Sequence, residues 1–86
     1  MPRISQYYGI ATYMYYRDHA PPHFHAIYGE HEAVIEISTG KILDGSLPRR
    51  AKKLVAEWTK QHRTALEENW SRAQRGEPLK PIEPLE

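Results

Sequence analysis

The chain reads as an α+β protein, an antiparallel meander of three to four strands at about 6–16, 23–28, 31–37 and 41–43, packed by one long or two short C-terminal helices at about 48–62 and 63–75. Three observations predict this. Up to Ser46 the apolar residues alternate with period two between Gly- and Pro-containing breaks, whereas from Leu47 they recur with the 3.6-residue period of a helix. The prolines that follow recur every three residues, adding an extended arm at 76–86 to a single domain spanning 1–86.

From Gln6 to Tyr16, Ile10, Thr12, Met14 and Tyr16 share one face and Ala11, Tyr13 and Tyr15 the other, a β-branched and aromatic content that suits a strand. Arg17 to Pro22 forms a turn. Pro21-Pro22 restricts its own φ and pushes Ala20 out of the helical region, so the chain enters the next strand through a stiff, extended lead-in. In that strand Phe24, Ala26 and Tyr28 oppose His23, His25 and Ile27. Gly29-Glu30 is a hairpin connection, after which Ala33, Ile35 and Ile37 alternate with Glu32, Val34 and Glu36. Lys41 to Leu43 makes a brief last strand. Asp44-Gly45-Ser46 then leads into a helix with Ser46 as N-cap and Pro48 in the first turn. Leu47, Ala51, Leu54, Val55, Trp58 and His62 lie on one helical stripe, continued by Leu66, Trp70 and Ala73. The helix, continuous or jointed near His62, stops at Gly76 with Pro78 beyond it. Leu79, Ile82 and Leu85 then line one edge of a polyproline-type arm, docked on its own domain or on a neighbouring subunit.

Length and composition narrow the function classes. With 86 residues, 27% charged and 40% hydrophobic, the chain is of globular and not disordered composition, with room for one modest core. It has no cysteine, which excludes disulfides and thiolate metal sites. No apolar run is long enough to cross a membrane and the start lacks a signal-peptide core, so the expected location is the cytoplasm, with no membrane contact. The net charge of +1 is unevenly spread: residues 1–46 hold three Lys/Arg against five Asp/Glu, residues 47–75 eight against three, and residues 76–86 one against three. A locally basic segment of this kind suits a polyanion or an acidic partner. The small core, the apolar tail and the many tyrosines favour a homodimer.

The chemistry concentrates between Asp18 and Tyr28, which holds His19, His23 and His25, three of the five histidines. Residues two apart in a strand share a face with Cβ atoms roughly 6.5–7 Å apart, which makes His23 and His25 neighbours. Two neutral imidazoles so placed can chelate a divalent metal such as zinc, with His19, Asp18, His31 or Glu32 as a third ligand. The same trio can instead act as a metal-free acid–base set on a ribose 2′-hydroxyl. Arg17, Arg49, Arg50 and Lys53 would then bind the phosphate. Alternatively, each histidine is a separately satisfied side chain. Arg49-Arg50-Ala51-Lys52-Lys53 places cations at a helix start, against the macrodipole, which suits either an anion or a solvated face. Trp58 and Trp70 belong to the apolar stripe and are read as core or subunit interface, and His62, on the same stripe, as a satisfied core residue.

The sequence resembles a family of small prokaryotic proteins catalogued as a domain of unknown function. The resemblance rests on Met1-Pro-Arg-Ile-Ser5, Tyr8-Gly9-Ile10, Asp18-His19, the block Pro21-Pro-His-Phe-His-Ala26, Leu47-Pro-Arg-Arg-Ala51, Glu57-Trp58, His62-Arg63, Asn69-Trp70 and Pro78-Leu-Lys-Pro-Ile82. Such proteins are typically encoded beside another small protein in the manner of type II toxin–antitoxin pairs. What the resemblance implies is a toxin-like module with a cognate small antitoxin-like partner, and it assigns no catalytic residue. The leading expectation is therefore a toxin-like chain acting on RNA as a ribonuclease-like phosphodiesterase through His19, His23 and His25. Competing with it are a non-catalytic homodimeric regulator that binds nucleic acid or its partner through the basic helix, and a metal-binding structural module.

Overall fold

The structure is a computed structural model that describes residues 2–86. Met1, the first residue of the amino-terminal motif, lies outside the described residues. The architecture is α+β. Five strands, β1 (Arg3–Tyr7), β2 (Ile10–Tyr13), β3 (His23–Tyr28), β4 (His31–Glu36) and β5 (Ile42–Gly45), form one antiparallel sheet in sequential order. Two helices follow, α1 (Arg49–Gln61) and α2 (Arg63–Gln74).

The expectation of three to four strands is corrected to five. The segment read as one strand over 6–16 is the end of β1, a turn and β2, followed by non-strand residues from Met14. Tyr7 pairs with Ile10 across a two-residue loop in which Tyr8 and Gly9 have φ of 49° and 78°. Two successive positive φ values make a type I′ hairpin turn, whose twist matches that of the flanking strands. Usually Asn or Asp announces such a turn at its first position. Here an aromatic residue occupies it and hides the break. The last strand lies at Ile42–Gly45 and closes on β4 through an irregular register at Val34/Ile35. A side chain at Gly45, where φ is 76°, would overlap the Glu32 carbonyl, so the close approach of these two strands requires glycine.

Ser46 is not the N-cap: α1 begins at Arg49 with Pro48 in that place and no side-chain cap bond. Proline suits this position because its fixed φ leads into the helix and its missing N–H costs no helical bond. The helices are jointed at His62, where φ of −119° leaves the helical region. Arg63 Nε donates to the Ile37 carbonyl at 2.9 Å and ties the joint to the end of β4. At the end of α2 the Gly76 N–H donates to Ala73 O and the Glu77 N–H to Arg72 O, the paired bonds of a Schellman ending.

The inner sheet face and the helices enclose Ile4, Ile10, Met14, Phe24, Ala26, Ala33, Ile35 and Ile37 against Ala51, Val55, Trp58, Leu66 and Ala73. Trp58 is central, with its ring 5.1 Å from Tyr7 and 5.5 Å from Phe24. The tail lies along this core. Asn69, buried, donates to Lys80 O and accepts from Lys80 N–H, Trp58 Nε1 donates to Glu83 O, and the Ile82 N–H donates to Ile4 O on the sheet's first strand. Ile82 and Leu85 are buried. Among the described residues no helix is long and apolar enough to cross a membrane.

Candidate functional site

Strand alternation sends Phe24 and Ala26 into the core and His25 to the opposite, outer face. Cross-strand register then sets His25 beside Tyr13 and Val34, and Val34 beside Asp44. Asp18 is brought over this face by the β2–β3 connection. That connection is pinned to the end of α2, because the Arg17 N–H donates to Ala73 O at 3.1 Å and Gln74 Nε2 donates to Asp18 O at 3.1 Å. The Ile37 N–H donates to Pro22 O and fixes the lead-in to β3, and the Ala20–Pro21 peptide is cis.

Asp18, His23 and His25 converge, each offering one donor atom, with all three atoms within 4.8 Å of one another. Asp18 Oδ2 is 2.9 Å from His23 Nε2 and 3.6 Å from His25 Nε2. His23 is 2% exposed and packs on Trp70 of α2 at 5.1 Å. Its Nδ1 lies 2.7 Å from the Pro21 carbonyl, an acceptor only, so Nδ1 carries a proton. Its Nε2 then faces a carboxylate at hydrogen-bonding distance. A neutral ring would set lone pair against lone pair there, so a proton or a metal cation has to lie between His23 and Asp18. His25 repeats the theme: Nδ1 is 3.4 Å from Glu32 Oε2 and Nε2 is 3.6 Å from Asp18, yet neither nitrogen makes a hydrogen bond of acceptable geometry and both are shielded from solvent. Tyr15 holds the His25 ring edge-on at 4.3 Å.

Burial alone would raise the Asp18 carboxyl, but the His19 N–H at 2.8 Å and the His23 and His25 rings together hold it below the usual carboxylate range. Asp18 is therefore ionised at neutral pH. Burial, then the charges of Glu32 and Asp18, push the Tyr15 phenol up, so Tyr15 stays neutral there. A cleft of about 690 Å³ opens beside these groups, bounded by Pro21, Val34, Leu43 and Asp44. Its lining includes two carboxylates, Asp18 and Asp44, and no lysine or arginine.

His19 is exposed at the mouth of this cleft, with its ring 5.5 Å from His23 and Nδ1 3.4 Å from Asp18 Oδ1. The four cations expected to bind phosphate lie elsewhere. Arg17 is exposed and its guanidinium packs over Gly76. Arg49 and Lys53 border one depression on α1, and Arg50 another. Since α1 covers the Phe24 face of the sheet through Trp58, these three sit across the sheet from His25. His31 is exposed at the β3–β4 turn, away from the cleft. Tyr15, not the nearer Tyr16, reaches the histidines. Asp44 and Leu43 were not foreseen in the sequence, although the register running from His25 through Val34 to Asp44 carries the signal.

The chain matches the family described as a domain of unknown function, DUF4160, over residues 9–71, more than half its length. The chain belongs to that family. The DUF4160 match contains Asp18, His23, His25, the cleft lining and α1, and leaves β1 and the tail outside. No curated protein and no solved structure matches the chain.

Proposed function

We propose that the chain is a divalent-metal-dependent hydrolytic module whose ion is held by Asp18, His23 and His25. The carrying observation is the pair of acceptors around His23: with Nδ1–H committed to Pro21 O, the lone pair of Nε2 and the Asp18 carboxylate point at each other across 2.9 Å. Metal–ligand bonds of about 2.0–2.2 Å place donor atoms roughly 3–3.5 Å apart, close to the spacings at Asp18 Oδ2. His23 has the outer-shell acceptor that metal-ligating imidazoles use, the Pro21 carbonyl, and Glu32 Oε2, 3.4 Å from His25 Nδ1, is the group that would serve His25 in the same way. A two-histidine, one-carboxylate set supplies three ligands, and an ion held by Asp18, His23 and His25 would supply Lewis acidity and an activated water.

RNA is the substrate that fits the toxin-like reading. The lining has no lysine or arginine, so the ion is the positive charge that would draw an anionic phosphodiester into an acidic cleft. His19, exposed at the mouth, would return a proton to the leaving oxygen. Pairing with a small antitoxin-like protein, and a homodimeric state, belong to the same reading.

The test is titration of chelator-treated protein with Zn²⁺, Mn²⁺ and Co²⁺, followed by RNA cleavage with and without chelator. The expected result is one ion per chain, loss of binding by about 100-fold or more in Asp18→Asn and His25→Asn, and cleavage that needs metal. A second reading starts from the same observation, with a proton in place of the ion, so that His23 is an imidazolium bridging Pro21 O and Asp18 and His25 does metal-free acid–base work. Chelator-resistant cleavage by a protein that binds no ion would decide for it.

A further inference from the structure

The outer face of α1 takes no part in the site or the core. At 100° per residue, Arg49, Lys52, Lys53, Ala56 and Lys60 fall within an arc of roughly 100°, spread over about 16 Å of helix. All are exposed. Among the described residues every ion pair lies at the histidine site, within α2 or between the end of α2 and the tail, so none of these cations, nor the adjoining Arg50, has a carboxylate within 4 Å. Four unpaired cations on one face repel each other, and Arg49, Lys52 and Lys53, near the start of α1, also oppose the helix dipole.

Beside this arc, Arg50 and Leu54 border a depression whose other wall is Tyr8 and Tyr28. Tyr8 is 54% exposed and Tyr28 36%. Tyr8 is held there by the type I′ turn, and Tyr28 packs across Gly9. Two exposed aromatic rings next to a guanidinium and a line of lysines make the pairing of features that binds unpaired bases and their phosphates. A protein partner would need apolar anchors on the cationic arc, which offers only Ala56. A duplex, with its bases already stacked, would leave the tyrosines unused.

We infer that α1 and the Tyr8–Tyr28 wall form a single-stranded nucleic-acid-binding surface, separate from the histidine site. Arg49, Lys52 and Lys53 hold phosphates, and Tyr8, Tyr28 and Arg50 stack on bases. This surface and the metal centre lie on opposite sides of the sheet, so the two stand or fall independently.

The experiment is fluorescence anisotropy of the full chain with a labelled single-stranded RNA 12-mer in chelator-containing buffer, beside the same sequence as a duplex and beside polyglutamate. The expected result is binding to the single strand that weakens about 20-fold between 50 and 200 mM salt, as for three phosphate contacts. Arg49→Glu with Lys53→Glu should abolish it. Tyr8→Asn with Tyr28→Thr, chosen because asparagine tolerates the turn and threonine the strand, should weaken binding about tenfold without changing the salt slope. Equal affinity for the duplex with no effect of the tyrosine variant overturns the single-strand assignment. Preference for polyglutamate, or no salt-dependent binding to RNA, overturns a nucleic-acid surface altogether.

Discussion

Asp18 contacts three imidazoles and is the side chain on which the site's acid stability turns. Its carboxyl titrates below the ordinary value of about 3.9, so in the metal-free protein it stabilises the fold above that pH and loses the contribution as pH falls through its depressed folded value. The melting temperatures of wild type and Asp18→Asn should therefore differ at about pH 6 and converge by about pH 2, as followed by circular dichroism. A gap that persists into acid would show that the substitution acts through packing instead. The Glu32 carboxylate lies 3.4 Å from His25 Nδ1 and outside the proposed ligand set, so Glu32→Gln should lower metal affinity about tenfold while leaving the number of bound ions at one per chain. The spacing of His23 and His25 was legible in the sequence because strand geometry alone makes them neighbours. Asp18 was legible only as one of several possible third ligands, because its position depends on two bonds to a helix end far along the chain, Arg17 N–H to Ala73 O and Gln74 Nε2 to Asp18 O.

Among elements, the alternating strands and the helical stripe were readable because burial enforces their periods, and Ala33, Ile35 and Ile37 or Ala51, Val55 and Trp58 sit where those periods put them. The β1–β2 hairpin was not, since Tyr8 adopts a left-handed conformation that its side chain disfavours. That mismatch has a measurable consequence: Tyr8→Asn should stabilise the protein by about 1 kcal/mol in denaturant unfolding, because asparagine is preferred in such turns. Destabilisation would mean that the Tyr8 ring contributes more to the fold than its exposure suggests. The joint between α1 and α2 was left open by the sequence for a different reason. Its apolar stripe runs through His62 unbroken, and the joint shows only in the structure, as the non-helical φ of His62 beside the bond from Arg63 to Ile37 O.

Across the whole molecule, the sheet separates an acidic, histidine-lined cleft from a cationic helix face, so the near-neutral net charge is the sum of two opposed surfaces. The tail seals one end of the core between them. Removing residues 78–86 would expose Trp58 and Ile4 and forfeit the burial of Ile82 and Leu85, a loss of about 3 kcal/mol or more. Thermal unfolding of the truncated chain should show it as a lower midpoint, while unchanged stability would make the arm an accessory. The bond from the Ile82 N–H to Ile4 O also joins the first strand of the sheet to a segment made after both helices. Closure of the core is thus a maximally non-local event, and such contacts are reached late and slowly. On the ribosome β1 would wait with part of its outer edge unpaired until Ile82 emerges, an interval in which a complementary strand from another chain could claim that edge first.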